Sequence, residues 1–307
     1  MFFSQKFIKI LSIFFLLSFF VLLLTHPKEC STFASGGLLL WFEKMIPTLY
    51  PFMLLSQILL QTRIANFISY SLYPILGKIY SISLYGVFIL IMGFLSGFPM
   101  GAILVSSLLK EKQISEKEAE FLLSFCNNLG PVFVLGILYQ SCTLFSLPKT
   151  IFIIYGVPLL FGLILRYTVY KKESFPSFQN CPGAINYSLL HILEKKLNPC
   201  LLSIARLGGL MILFHTFQIY MVNRFYEVSI TANAIFTIIL EITGGIDKIS
   251  KLPTLYPIVY CFLPMGGLCC LAQTAIIMKD HHFSMGLHIL YKSIQCILAT
   301  FFVLIWM

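Results

Sequence analysis

Residues 82–109 read ISLYGVFILIMGFLSGFPMGAILVSSLL, and no charged side chain interrupts them. A helix needs only about 20 such residues to cross a hydrocarbon core of ~30 Å. This run is longer than that, and at its centre lies Ser96-Gly97-Phe98-Pro99-Met100-Gly101-Ala102. Proline removes an amide donor and clashes with the preceding turn, so a helix breaks there. In lipid the freed N–H and C=O groups have no water to bond, and such a break is tolerated only against protein or a wet cavity. The stretch therefore predicts a helix–break–helix element inside an all-α polytopic membrane protein.

The rest of the chain agrees. Of 307 residues, 58% are hydrophobic and 11% charged, against about 45–50% and about 25% in a soluble domain. Apolar runs recur at 10–24, 36–60, 119–139, 148–170, 201–222, 230–243, 255–278 and 287–307. They predict about 8–10 membrane helices, with discontinuous helices or re-entrant hairpins near mid-bilayer. Lys6 and Lys9 precede the first run, and no small-x-small cleavage pattern follows it, so residues 1–35 are expected to hold a retained anchor helix. The polar stretch 171–188 then divides a first membrane half, 36–170, from a second, 189–307.

Three further breaks accompany the first. Asn127-Asn128-Leu129-Gly130-Pro131 interrupts one run, Glu241-Ile242-Thr243-Gly244-Gly245 ends another, and Pro264-Met265-Gly266-Gly267 interrupts a third. Two fall in each half. Short sequence matches between the halves have unequal offsets, so the paired breaks, and not these matches, suggest an internal repeat. Paired discontinuous helices in two halves point to a transporter site. A helix restarting at Pro99 aims unpaired amides and the positive end of its dipole at the break, which suits an anion. The expected solute-binding residues are Ser96, Gly97, Pro99, Gly101, Asn127, Asn128, Gly130, Glu241, Thr243, Gly244, Gly266, Gly267 and Gln273. Glycines in membrane bundles also serve close packing alone; four breaks arranged two and two favour the site.

Glu241 follows seven uncharged residues, Ala234–Leu240. A carboxylate in a membrane run usually lines a cavity or pairs. It is read here as coupling a proton or cation, or bonding solute, with a structural pair to Arg206 or Lys248 as the bland counterpart. Arg206 either snorkels or faces an anion, and His215 reads as a packed core residue. Ser115 and Glu118 fit a capping box whose charged first turn belongs at the membrane surface.

Other classes find little support. The +9 net charge comes with no basic run longer than two residues, which argues against nucleic acid. Nine irregularly spaced cysteines form neither a disulfide framework nor a zinc site. Asp280-His281-His282 has no third ligand at helical spacing. No P-loop, Rossmann, H-E-x-x-H or G-x-S-x-G motif occurs, so neither a cofactor nor enzyme chemistry is expected. The expected partners are a small anionic solute and the lipid bilayer, with a homo-oligomer left open.

Ser96–Ala102 and Ser124–Pro131, preceded by Ile46–Phe52, resemble the YlbJ-type sporulation integral membrane proteins. The nucleoside-recognition (Gate) domain of that family is similar to halves of concentrative nucleoside transporters. Glu241–Ile246 and Gly266-Gly267-Leu268 with Gln273 extend the likeness into the second half, from about Gly36 to Leu290. The resemblance implies a membrane protein of endospore-forming bacteria, made in the mother cell. It also implies a role in passing dipicolinate, a small aromatic dianion, across the outer forespore membrane. An ion-coupled nucleoside or nucleobase-like carrier, and a non-transporting sporulation membrane component, are the alternatives.

Overall fold

A computed structural model describes residues 2–175, 189–220 and 229–307; the side chains of residues 2–12 and of Arg63 are outside the description. All regular structure among these residues is helical. Most of the 171–188 divider, residues 176–188, lies outside the described residues.

The chain opens with α1 (Phe2–Thr25) and, after Pro27 starts a new first turn, α2 (Pro27–Leu60). Then come α3 (Ile64–Tyr80) and α4 (Leu84–Ser96), bent by 96° to each other. Ser83 caps α4 by accepting the Gly86 N–H at 3.0 Å. Next are α5 (Met100–Lys110), α6 (Glu116–Phe125), α7 (Pro131–Ser141) and α8 (Leu147–Tyr167). The second half holds α9 (Leu189–Thr216), α10 (Ile230–Leu240), α11 (Ile242–Ile249), α12 (Tyr256–Phe262), α13 (Gly267–Met278) and α14 (Met285–Trp306).

Among the described residues, five helices are long and apolar enough to cross a membrane, or six if α3 and α4 are one bent span. Shorter apolar helices stand beside them, because the breaks cut the apolar runs into pieces such as Met100–Lys110, Pro131–Ser141 and Ile230–Leu240 that are too short to cross alone. The fold is that of a polytopic α-helical integral membrane protein, with apolar side chains such as Phe14, Phe67, Leu190 and Ile297 turned outward.

Long α9 packs along α2. The Trp41 Nε1–H donates to the Ile204 carbonyl at 2.9 Å, and Gly37 and Gly208 leave no room for a β-carbon between the helices. Small residues thus let two long helices approach closely, as membrane packing favours. Together α2 and α9 form the wall on which the broken helices of both halves lean.

Candidate functional site

Each half contains one crossing of two breaks. In the first half, α4 ends at Ser96 and Gly97 takes φ +79° with ψ −173°, a conformation essentially confined to glycine. Pro99 is the N-cap of α5, which restarts at Met100, one residue later than the sequence suggests. The chain from Asn127 to Gly130 crosses this point without helical structure. The Phe98 N–H donates to the Asn128 carbonyl at 2.6 Å. A β-carbon on Gly97 would collide with the Gly130 backbone, and one on Gly130 would lie 2.8 Å from the Ser96 carbonyl oxygen. Glycine is needed here because two main chains touch.

In the second half the break falls at Glu241 itself, which is extended (φ −152°, ψ 123°) between α10 and α11. The break thus falls at the first residue of the expected stretch, Glu241–Gly245; Thr243, Gly244 and Gly245 lie inside α11, where Gly244 and Gly245 let the short helix press against His215 and Ile238. Gly266 and Gly267, at φ +70° and +83°, pass beside it. A β-carbon on Gly267 would lie 3.2 Å from the Glu241 Cα.

The two crossings meet. One small cavity, of about 40 Å³, is lined by Gly97, Phe98, Leu129 and Gly130 from the first and by Glu241, Thr243, Cys269, Cys270 and Gln273 from the second. That is room for about three waters, too little for an organic solute. Thr243 presents a buried hydroxyl that has no hydrogen-bond partner. A second cavity shares Leu207 and Gln273 with the first, and is lined by Pro99 and by Arg206, which is exposed.

The expected site residues divide accordingly. Gly97, Gly130, Glu241, Thr243 and Gln273 line the central cavity, and Pro99 lines the second. Ser96 instead bonds Ser56, Oγ to Oγ at 3.2 Å. Gly101 packs against Cys126 and Asn127, and Gly266 packs against Phe98 and Cys270.

Asn127 and Asn128, also expected to bind solute, do not line the cavity. Asn127 Nδ2 donates to Thr274 Oγ1 of α13 at 3.0 Å, and Asn128 Nδ2 to the Phe125 carbonyl at 2.5 Å. The Asn127 amide is held by remote α13, a partner that local sequence does not reveal.

Two buried charges hold the crossings. The Glu241 carboxylate accepts the Thr243 N–H at 2.8 Å and the Gly244 N–H at 2.7 Å. It thereby occupies the amides at the positive end of α11. Its partner is neither Arg206 nor Lys248 but His215, whose Nε2 lies 3.5 Å from Oε2 without hydrogen-bonding geometry. His215 is thus a buried, hydrogen-bonded core residue that also neighbours the carboxylate. Behind it, Gln218 Nε2 lies 3.3 Å from His215 Nδ1, and Gln218 Oε1 accepts from Lys248 Nζ at 2.8 Å. Lys248 also donates to Asn233 Oδ1 and Thr237 Oγ1.

The second charge, Lys292, is a residue that the sequence reading missed. It sits in α14 at 0% exposure and donates to the Asn127 carbonyl at 2.5 Å and to Asn128 Oδ1 at 2.8 Å. These acceptors follow the C-terminal end of α6, where a cation suits the dipole. Gln295 joins it, donating to the Ser124 carbonyl at 2.5 Å. The available signal was His288, Lys292 and Gln295, spaced four and three residues apart in an apolar run, which puts three polar groups on one helix face.

Glu118 also differs from expectation. Ser115 does cap α6, accepting the Glu118 N–H at 3.1 Å, but the Glu118 carboxylate is buried and accepts from Ser83 N–H on α4 at 2.7 Å. Helix-to-helix reach wins over the local capping box, and this part of the first turn is inside the protein.

Crossed breaks around a shared cavity, within a bundle of apolar helices, define a class: integral membrane proteins with discontinuous helices meeting at a central point. Within it, the chain is similar to the sporulation integral membrane protein YlbJ of Bacillus subtilis (strain 168), with 32% identity over 225 residues. The match covers 66% of this chain and 55% of that protein, so it spans little more than half of the relative's length. No family model matches the sequence. No solved structure matches it.

Proposed function

We propose that this chain is a secondary-type transporter of a small organic anion, with dipicolinate as the candidate solute. The observation that supports it most is the convergence of three helix breaks from both halves on one cavity, with the fourth, at Gly266-Gly267, packed against Phe98 and Glu241 beside it. Broken backbone is expensive in a membrane unless it serves a path or a site. The closed crossings would part to admit the solute, with Thr243 and Gln273 offering neutral hydrogen bonds and Arg206 lining the neighbouring second cavity. The relative's name associates it with sporulation. On the family resemblance described above, the membrane proposed for this activity is the outer forespore membrane.

The test is purified protein in liposomes with dipicolinate inside and, in parallel vesicles, uridine. Saturable release of dipicolinate, with uridine retained, supports the reading. Retention of dipicolinate at all concentrations sinks it.

One observation favours a second reading, an ion-coupled nucleoside or nucleobase-like carrier. Glu241 lies on the cavity wall and contacts the buried His215 behind it, where a coupling proton or cation would act. Selective movement of uridine, dependent on a pH or sodium gradient, would establish this reading in place of the first.

A further inference from the structure

Lys292 is an ammonium without a counter-ion. Burying a charge is costly unless it is paired, and intramembrane ionisable groups usually find an opposite charge. Among the described residues the ion pairs within 4.0 Å are Lys117–Glu120 and His215–Glu241, and neither involves Lys292. Its acceptors are two neutral oxygens, of Asn127 and Asn128. Glu241 is not in reserve for it, because both carboxylate oxygens accept α11 amides.

The position of this uncompensated charge is informative. The ammonium lies 5.2 Å from the centre of the Phe98 ring, a cation–π distance. Phe98 lines the central cavity, whereas Lys292 does not. On another side the ring packs against Gly266, where a β-carbon would come within 2.9 Å of it. One aromatic ring, seated beside a glycine with a positive φ, thus stands between the cavity and a fixed positive charge.

We propose that Lys292 is the cationic contact of the transported anion. When Phe98 moves aside, the ammonium exchanges the oxygens of Asn127 and Asn128 for a carboxylate of the solute. A neutral solute offers no such exchange, so Lys292 selects for charge. The assignment rests on the anion-transport reading above and adds to it the residue that confers the selectivity.

The experiment compares wild-type protein, Lys292→Gln and Phe98→Leu in proteoliposomes, with dipicolinate and uridine as probes and thermal unfolding measured on each preparation. Glutamine keeps an NH2 group that can donate to the oxygens beyond α6, and removes only the charge. Dipicolinate uptake by Lys292→Gln should fall about tenfold or more, as for loss of a desolvated charge contact, while the unfolding temperature changes little. Equal dipicolinate uptake by wild type and a folded Lys292→Gln overturns the assignment and leaves the transport reading intact. No uptake by wild type overturns the transport reading itself. If Lys292→Gln does not fold, Phe98→Leu decides: with the ring removed, half-saturation by dipicolinate should come at a severalfold lower concentration, and an unchanged value overturns the assignment.

Discussion

The crossing in the first half and the crossing in the second solve one electrostatic problem in opposite ways. In the second, the charge comes from the break residue: Glu241 caps the next two amides but one along its own chain. In the first, the charge is borrowed from the last helix, Lys292, some 165 residues away in sequence from Asn127. Each sign matches the helix end that it meets, anion at the start of α11 and cation beyond the end of α6. A local cap stays with its helix whatever the helix does. A borrowed charge is released if α14 and α6 separate. On the transport reading proposed above, motion would fall at the first crossing and anchorage at the second.

The glycines at the crossings give the sharpest test of that contrast. Gly97→Ala should destabilise most, by about 3–5 kcal/mol, because it combines a glycine-only conformation with a backbone collision. Gly267→Ala, whose β-carbon would meet Glu241 at 3.2 Å, should lose about 1–3 kcal/mol. Thermal unfolding in detergent checks both, and a Gly97→Ala protein as heat-stable as its parent would break the comparison at its tightest point.

Glu241→Ala should come next, at about 2–4 kcal/mol, since it strips two buried amides of their acceptor. Glu241→Gln retains one acceptor oxygen and should lose about half as much, on the order of 1–2 kcal/mol. If Glu241 also couples a proton, the pH dependence of transport should flatten in Glu241→Gln. An unchanged profile in well-folded protein leaves the residue with the capping role alone.

Asn128→Leu removes one of the two oxygens holding Lys292, together with the bond to the Phe125 carbonyl. The expected loss of stability is about 1–3 kcal/mol, read as a fall in unfolding temperature. An unfolding temperature equal to the parent's would show that the ammonium does not depend on this tether. The smallest effect belongs to Lys248→Met, at about 1 kcal/mol, because Lys248 is half-buried and bonds neutral groups. A larger fall in its unfolding temperature than in that of Glu241→Ala would reverse the ranking within the second crossing.

The sequence disclosed the breaks because glycine, proline and asparagine are conspicuous in apolar runs, and a break there has few explanations. It disclosed Glu241 as buried for the same reason. What it concealed was long-range. Nothing near Glu241 names His215, and nothing near Asn127 names Thr274 or Lys292. A single lysine in the final apolar run looks like a snorkelling end residue until its spacing from His288 and Gln295 is noticed. Hydropathy counts apolar length, while the breaks turn some of that length into half-helices that are too short to cross alone.

The bond between Glu118 and Ser83 has a mechanical consequence. It pins the start of α6 to the start of α4, while at the far ends Gly93 abuts the Cys126 carbonyl and Phe98 bonds Asn128. Gly86, two turns before Gly93, lets the Glu118 carboxylate lie flush against α4. Two parallel helices fastened at both ends behave as a single plank, stiff along its length and jointed only beyond its ends, at Gly97 on one member and Gly130 on the other. Any displacement of one helix drags the other with it, so a push felt at the Glu118 end would arrive undiminished at the far end, about 12–15 Å along the axis.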